Sequence, residues 1–369
     1  MTAPPPVPGQ FRCYTSSNDA TAGTGSDVRD AAVAWLATRT PRPALPLQAF
    51  GATMMAMTLV ALAVKYGRLH AHDPSLRVGV PVDQLLGYPR EEGGHVTGSP
   101  ILAPWRDGVD DVAPVVLVIG GFMSSPPMYR GLRRLLLERD VPEVVIARLW
   151  MPDWMLAVGR GQGAIAARAG RALLDASAAS AASEASAGAP VLVVGHSGGG
   201  VIARILASRE PFERRRMNAS GRIGAIVTLG SPQIFDAQGP SAQRMGATAL
   251  WANRHVPGAF AAPRTGYLCV GSDAIVGSSS GDRKARRIDR YYRGVISAPE
   301  GESIPGDGIT PLAAAFLPDV ESIVLHDAGH ANVISRHWYG DADHVDAWWP
   351  RAVEVWRDAL RARVRPATP

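Results

Sequence analysis

The chain has 369 residues, 46% of them hydrophobic, and a mean hydropathy near zero, so it can bury one large core and its length allows two domains. Two cysteines, Cys13 and Cys269, exclude a disulfide framework; Cys269 sits in the apolar run Tyr267–Val270 and reads as a buried strand residue. A net charge of +5 suits an anionic surface or substrate without demanding one.

In chain order, residues 1–45 open with Pro4, Pro5, Pro6 and Pro8 and continue through Ser, Thr, Gly and Asp, which predicts a disordered arm. The basic segment and apolar stretch of a signal peptide are not recognisable there. The expected location is therefore cytoplasmic or peripheral to a membrane. Residues 46–110 read as a helical extension around the uncharged apolar run Ala49–Val64, flanked by Arg39, Arg42, Lys65 and Arg68. That run is shorter than the roughly 20 residues of a spanning helix. Three readings stay open for it: a helix packed on the following domain, a membrane anchor, or a signal sequence behind a misassigned start.

From 111 to 365 apolar strands alternate with amphipathic helices, the pattern of a mostly parallel sheet with helices on both faces. Strands are expected at Val115–Gly120, Glu143–Leu149, Pro190–Gly195, Ile223–Gly230, Gly266–Gly271 and Glu321–His326. Helices are expected at Pro127–Glu138, Gln162–Ala176, Gly199–Ser208 and His344–Ala362, with Asp175–Gly188 a fraying end and loop. Two insertions, at about 233–264 and 275–305, stand where lids cover active sites. The first contains an expected helix, Ala242–Asn253. The second carries Arg283, Lys284, Arg286, Arg287, Arg290 and Arg293 around Tyr291 and Tyr292; it reads as a solvated or membrane-facing surface, with no nucleic-acid partner.

The strand Val191–Val194, the turn Gly195-His196-Ser197-Gly198-Gly199 and the helix that follows form a G-x-S-x-G nucleophile elbow. A serine hydroxyl needs a base, and the base needs an orienting acid. His330, in a Gly-His loop after the last strand, is the expected base. His326 and His330 share no helix, so their spacing argues against a metal site, and no cofactor or metal is expected. Asp307, in the turn Gly306–Pro311, is the favoured acid; Asp273, after the strand ending at Gly271, is the alternative. An oxyanion needs two donors. The backbone N–H of Gly198 is one, and that of Phe122, in the loop after the first strand, is the other, with Met123 the alternative in register. Met123, Trp150, Trp154 and His196 are candidates for the substrate pocket.

These segments together resemble the α/β-hydrolase superfamily, and within it the lipase-like hydrolases of plants and bacteria. The matching stretches are Gly121–Ser125, Arg148–Trp154, Gly195–Gly200, Leu229–Pro232, Gly306–Pro311 and Trp338–Gly340. They occur in the family's order over roughly residues 112–362, with Gly120 standing where many lipases carry His or Pro. The resemblance implies an α/β-hydrolase fold and a serine esterase or lipase with Ser197, Asp307 and His330 as nucleophile, acid and base. It implies a small-molecule or lipid ester as partner. The same residues would serve acyl transfer or thioester and amide cleavage, and the fold also has non-catalytic ligand-binding members.

Overall fold

The computed structural model describes residues 109–236, 240–332 and 335–364. The expected arm and extension over 1–108, with the run Ala49–Val64, lie outside the described residues. The described chain carries β1 (Val116–Ile119), α1 (Arg130–Leu137), β2 (Val144–Ile146), α2 (Met151–Arg160), α3 (Gly163–Ala182), β3 (Val191–His196), α4 (Gly198–Ala207), β4 (Ile223–Leu229) and α5 (Pro240–His255). It continues through β5 (Gly266–Ser272), β6 (Ile275–Gly277), α6 (Arg283–Tyr292), β7 (Ile304–Gly306), α7 (Leu312–Ala315), β8 (Ser322–Leu325) and α8 (Ala342–Val364).

Six strands form one sheet in the order β2-β1-β3-β4-β5-β8, and every pairing is parallel. Parallel strands are covered on both faces, which is why they read as unbroken Val/Ile/Leu runs. Successive side chains point to opposite faces. Leu117, Ile119, Val193 and Ile226 pack with Ala166, Ala169 and Leu173 of α3 and with Ile202, Ile205 and Leu206 of α4. Val116, Val118, Val194 and Val227 pack on the other side with Leu132 and Leu136 of α1 and with Val345, Trp348 and Trp356 of α8. Each such aliphatic side chain contributes about 1.5–3 kcal/mol on full burial.

All six expected strands are present, and the expected helices are found with shifted ends. α3 runs on to Ala182, past the fraying end expected after Ala176. Alanine is the best helix former, and the buried Ser180 hydroxyl donates to the Ala189 carbonyl at 2.7 Å, closing the turn into β3. α2 and the antiparallel pair β6–β7 had no counterpart in the sequence reading. The first insertion carries α5, held by Arg204 of α4 through Asn253 Oδ1 and the Val256 carbonyl. The second carries β6, α6 and β7. Among the described residues no helix is long and apolar enough to cross a membrane.

The strand order reverses between β1 and β3. From β1 the chain goes outward to β2, and from β3 it goes the other way to β4. In open α/β sheets the crevice beyond the carboxyl ends of strands at such a reversal is where ligands bind. Ile119 pairs with Gly195, so the loops leaving β1 and β3 start side by side.

Candidate active site

Ser197 stands between the last residue of β3 and the first of α4, with φ 54° and ψ −130°. That φ lies in the left-handed region, costing a non-glycine residue on the order of 1–3 kcal/mol, and the surroundings must hold it there. Its N–H donates to the Leu229 carbonyl at 2.9 Å, tying the elbow to β4. Ser197 is half-buried, whereas His196 before it is buried. Gly198 opens α4, so its N–H is among the first amides of a helix, which lack an intrahelical acceptor.

The loop after β1 lies against this elbow. A Cβ on Gly121 would stand 2.5 Å from Ser197 Cβ, so only glycine permits the approach. The Gly121 carbonyl accepts from the Ser124 hydroxyl at 2.6 Å and from the Ser124 N–H at 3.1 Å. In a trans peptide the N–H points opposite to the carbonyl, so pinning the Gly121 carbonyl turns the Phe122 N–H the other way. A Cβ on Gly198 would lie 3.7 Å from Phe122 N, which sets the two expected oxyanion donors next to each other.

The acid turn follows β7. Asp307 is fully buried, and its Oδ1 accepts the N–H groups of Ile309 at 2.9 Å and Thr310 at 2.7 Å. Its Oδ2 accepts from His330 Nδ1 at 2.8 Å and from the Tyr339 hydroxyl at 2.9 Å. Burial and the carboxylate push the Tyr339 phenol well above its usual range, which keeps it a donor. The His330 N–H also reaches the Asp307 carbonyl at 2.8 Å, so the two loops are joined by main chain as well as side chain. From α6, the Tyr292 hydroxyl accepts the Gly308 N–H at 2.6 Å and anchors the turn from the second insertion.

Asp273, the alternative acid, faces elsewhere. It pairs with His326 Nδ1 at 3.0 Å on the surface, where the His326 side chain is 81% exposed. Of the two acids expected for His330, Asp307 is the one hydrogen-bonded to it, while Asp273 meets the exposed His326 instead. Of the expected pocket residues, Trp150 is exposed and Met123 is half-buried with φ 61°. Trp154 is fully buried, edge-on to Phe122 with ring centroids 5.8 Å apart, and belongs to the core. His196 has protein partners on both ring nitrogens: the Tyr129 hydroxyl on Nδ1 and the His330 carbonyl on Nε2, each at 2.8 Å. It belongs to the scaffold behind Ser197 and not to a pocket wall.

Tyr129, Ser124, Tyr292 and Tyr339 escaped the sequence reading. Ser124 and Tyr339 showed only as members of the Gly121–Ser125 and Trp338–Gly340 stretches, Tyr292 only within the basic segment of the second insertion, and Tyr129 not at all. Among the described residues no group of three or more His, Cys, Asp or Glu side chains is placed to hold a metal ion.

Six parallel strands in this order, a strained serine between β3 and α4, and an acid and a histidine in the loops after β7 and β8 define the α/β-hydrolase fold. No family model and no curated protein sequence matches the chain. Among solved structures it is similar to esterase 2 of Thermogutta terrifontis, at 14% identity and a TM-score of 0.38 over 72% of this chain and 89% of the other. It is similar also to phospholipase PlaB of Legionella pneumophila, at 14% identity and a TM-score of 0.38 over 68% of this chain and 62% of that one. A dienelactone hydrolase of Anabaena variabilis is 13% identical with a TM-score of 0.33, over 66% of this chain and 86% of its own.

Proposed function

We propose that the chain is a serine hydrolase that cleaves carboxylic esters through an acyl-enzyme. The observation that carries this reading is the buried Asp307–His330 hydrogen bond, formed in the same fold as a strained, half-buried Ser197 flanked by the Phe122 and Gly198 amides. With its Nδ1–H directed to Asp307, the neutral His330 ring keeps its lone pair on Nε2. That nitrogen takes the Ser197 hydroxyl proton as Oγ bonds to the ester carbonyl carbon. The Phe122 and Gly198 N–H groups stabilise the resulting oxyanion, and Asp307 stabilises the imidazolium. Collapse breaks the carbon–alkoxide bond, and His330 returns the proton to the leaving alcohol. Water then repeats the sequence on the acyl-enzyme, giving the carboxylic acid and free Ser197. Exposed Phe122 and Trp150, with Met155 and Leu156 of α2, offer apolar surface suited to an acyl chain.

Ser197→Ala tests the reading directly. It should lower turnover of a p-nitrophenyl ester by at least about 10³-fold and remove labelling by a fluorophosphonate. Turnover at the wild-type rate in that variant would overturn the assignment. A panel of ester chain lengths, with and without a lipid interface, assigns the substrate: activation at the interface marks a lipase, and preference for short soluble esters an esterase.

A further inference from the structure

A continuous run of buried hydrogen bonds passes behind Ser197. The Gly121 N–H donates to the Tyr129 hydroxyl at 2.9 Å, Tyr129 meets His196 Nδ1 at 2.8 Å, and His196 Nε2 meets the His330 carbonyl at 2.8 Å. Tyr129 is 1% exposed and His196 is 4% exposed, so neither faces substrate. We propose that Tyr129 and His196 are positioning residues: they fix the oxyanion loop and the main chain of His330 relative to each other, and they keep the place beside the His330 ring free of a second positive charge. This rests on the reading of Ser197 and His330 as nucleophile and base.

For a neutral His196 ring the two ends of the run allow only one arrangement of protons. An amide N–H can only donate and a carbonyl can only accept. Hence Nε2 of His196 carries the hydrogen given to His330, and Nδ1 accepts from the Tyr129 O–H, whose oxygen accepts from Gly121. The neutral ring is thus held to one tautomer, and burial disfavours the charged form that would make the second donor. Burial, with the neighbouring His330, holds His196 down at about 3, and burial holds the Tyr129 phenol up at about 12. The His196 and His330 rings lie 4.9 Å apart. When His330 takes the serine proton it becomes cationic, and a charged His196 at that distance in a buried site would oppose the step. A neutral His196 does not.

The run also ties down the loop after β1 at Gly121. Gly121 has its N–H on Tyr129 and its carbonyl on Ser124, so both peptide planes flanking it are fixed. Small displacements of reacting groups cost large factors in rate. Removing the Tyr129 hydroxyl frees the first of those planes and leaves His196 Nδ1 without its donor.

The experiment counts active sites by fluorophosphonate titration and expresses kcat on a p-nitrophenyl ester per labelled site. Tyr129→Phe keeps the ring and should lower kcat about 10-fold or more, with KM within about two-fold. His196→Ala should fall at least as far. His196→Gln, whose amide offers an acceptor and a donor at nearly the spacing of the two imidazole nitrogens, should recover most of the loss. Because both residues belong to one run, Tyr129→Phe combined with His196→Ala should fall no further than His196→Ala alone. A wild-type kcat per labelled site in Tyr129→Phe and His196→Ala would overturn the positioning role, as would fully multiplicative losses in the double variant. Failure of the wild-type protein to label would instead overturn the hydrolytic reading beneath it.

Discussion

Asp307 takes four donors on two oxygens: two backbone amides on Oδ1, and His330 and Tyr339 on Oδ2. An ionised carboxylate has about four lone-pair sites, so none is left over. Replacing it by asparagine sets an amide against His330 Nδ1 and favours the tautomer with Nδ1 unprotonated, which removes the base. The expected loss in kcat for Asp307→Asn is roughly 10⁴-fold, while Asp273→Asn, on the surface with His326, should stay within about two-fold. A comparable loss in Asp273→Asn would reverse the assignment of the acid. Tyr339→Phe deletes one donor to a buried carboxylate and should destabilise the fold by about 1–3 kcal/mol, read as a lower urea midpoint at unchanged slope. Ser197, His330 and Asp307 were legible because each sits in a short local pattern of glycines and apolar residues. Tyr129 was not, since its bond to His196 joins residues 67 positions apart and leaves no local trace, and Tyr339, 32 positions from Asp307, showed only as a member of the Trp338–Gly340 stretch and not as a partner of the acid.

Three elements meet at the elbow with backbone against backbone. A Cβ on Gly199, in the first turn of α4, would run into the carbonyl oxygens of Ile119 and Gly120 where β1 ends. No side chain can move aside to make room, so Gly199→Ala must shift β1 or α4. It should lower stability by about 3 kcal/mol and kcat with it, because the loop after β1 carries Phe122. Gly131 is the internal comparison: it lies in α1 with nothing within 4 Å of its would-be Cβ. Gly131→Ala should raise stability by about 0.4–1 kcal/mol, as expected for glycine in a helix. Thermal melts of the two variants at neutral pH check both signs. The same element contrast explains what could be read in advance. The four inner strands, β1, β3, β4 and β5, announce themselves as runs buried on both faces, whereas β6 and β7 are three residues each, with exposed Val276 and Pro305 in their centres. α2 was hidden for a different reason: its start is set by Asp153 accepting the Trp150 N–H at 2.9 Å, and Trp150 before it and Trp154 within it read equally well as pocket residues.

Over the whole molecule, two buried histidines act on stability in opposite senses. His196 is held neutral, chiefly by burial, down to about pH 3. Unfolded, it binds a proton near 6.5. Between those values the unfolded chain carries a proton that the fold excludes, so stability is full above about 6.5 and falls as the pH drops towards 3. His344 runs the other way. Burial presses it down, but hydrogen bonds to Asp327 at 2.7 Å and to the Trp338 carbonyl at 2.8 Å outweigh that and leave it raised. Its contribution is complete below 6.5 and fades as the pH rises through its folded value. Asp327, on the surface, is correspondingly lowered by His344, so the pair is lost again in strong acid. The sum should be a protein that weakens from pH 7 to pH 4, because the buried His196 ring lacks the solvent that screens Asp327. In urea melts across that range, His196→Gln should flatten the acid fall by on the order of a few kcal/mol. His344→Gln should cost most near pH 5.5 and least near pH 9. A His344→Gln deficit that grows from pH 5.5 to pH 9 would mean that the Asp327–His344 bond is not charge-assisted, and that His196 alone governs the acid limb.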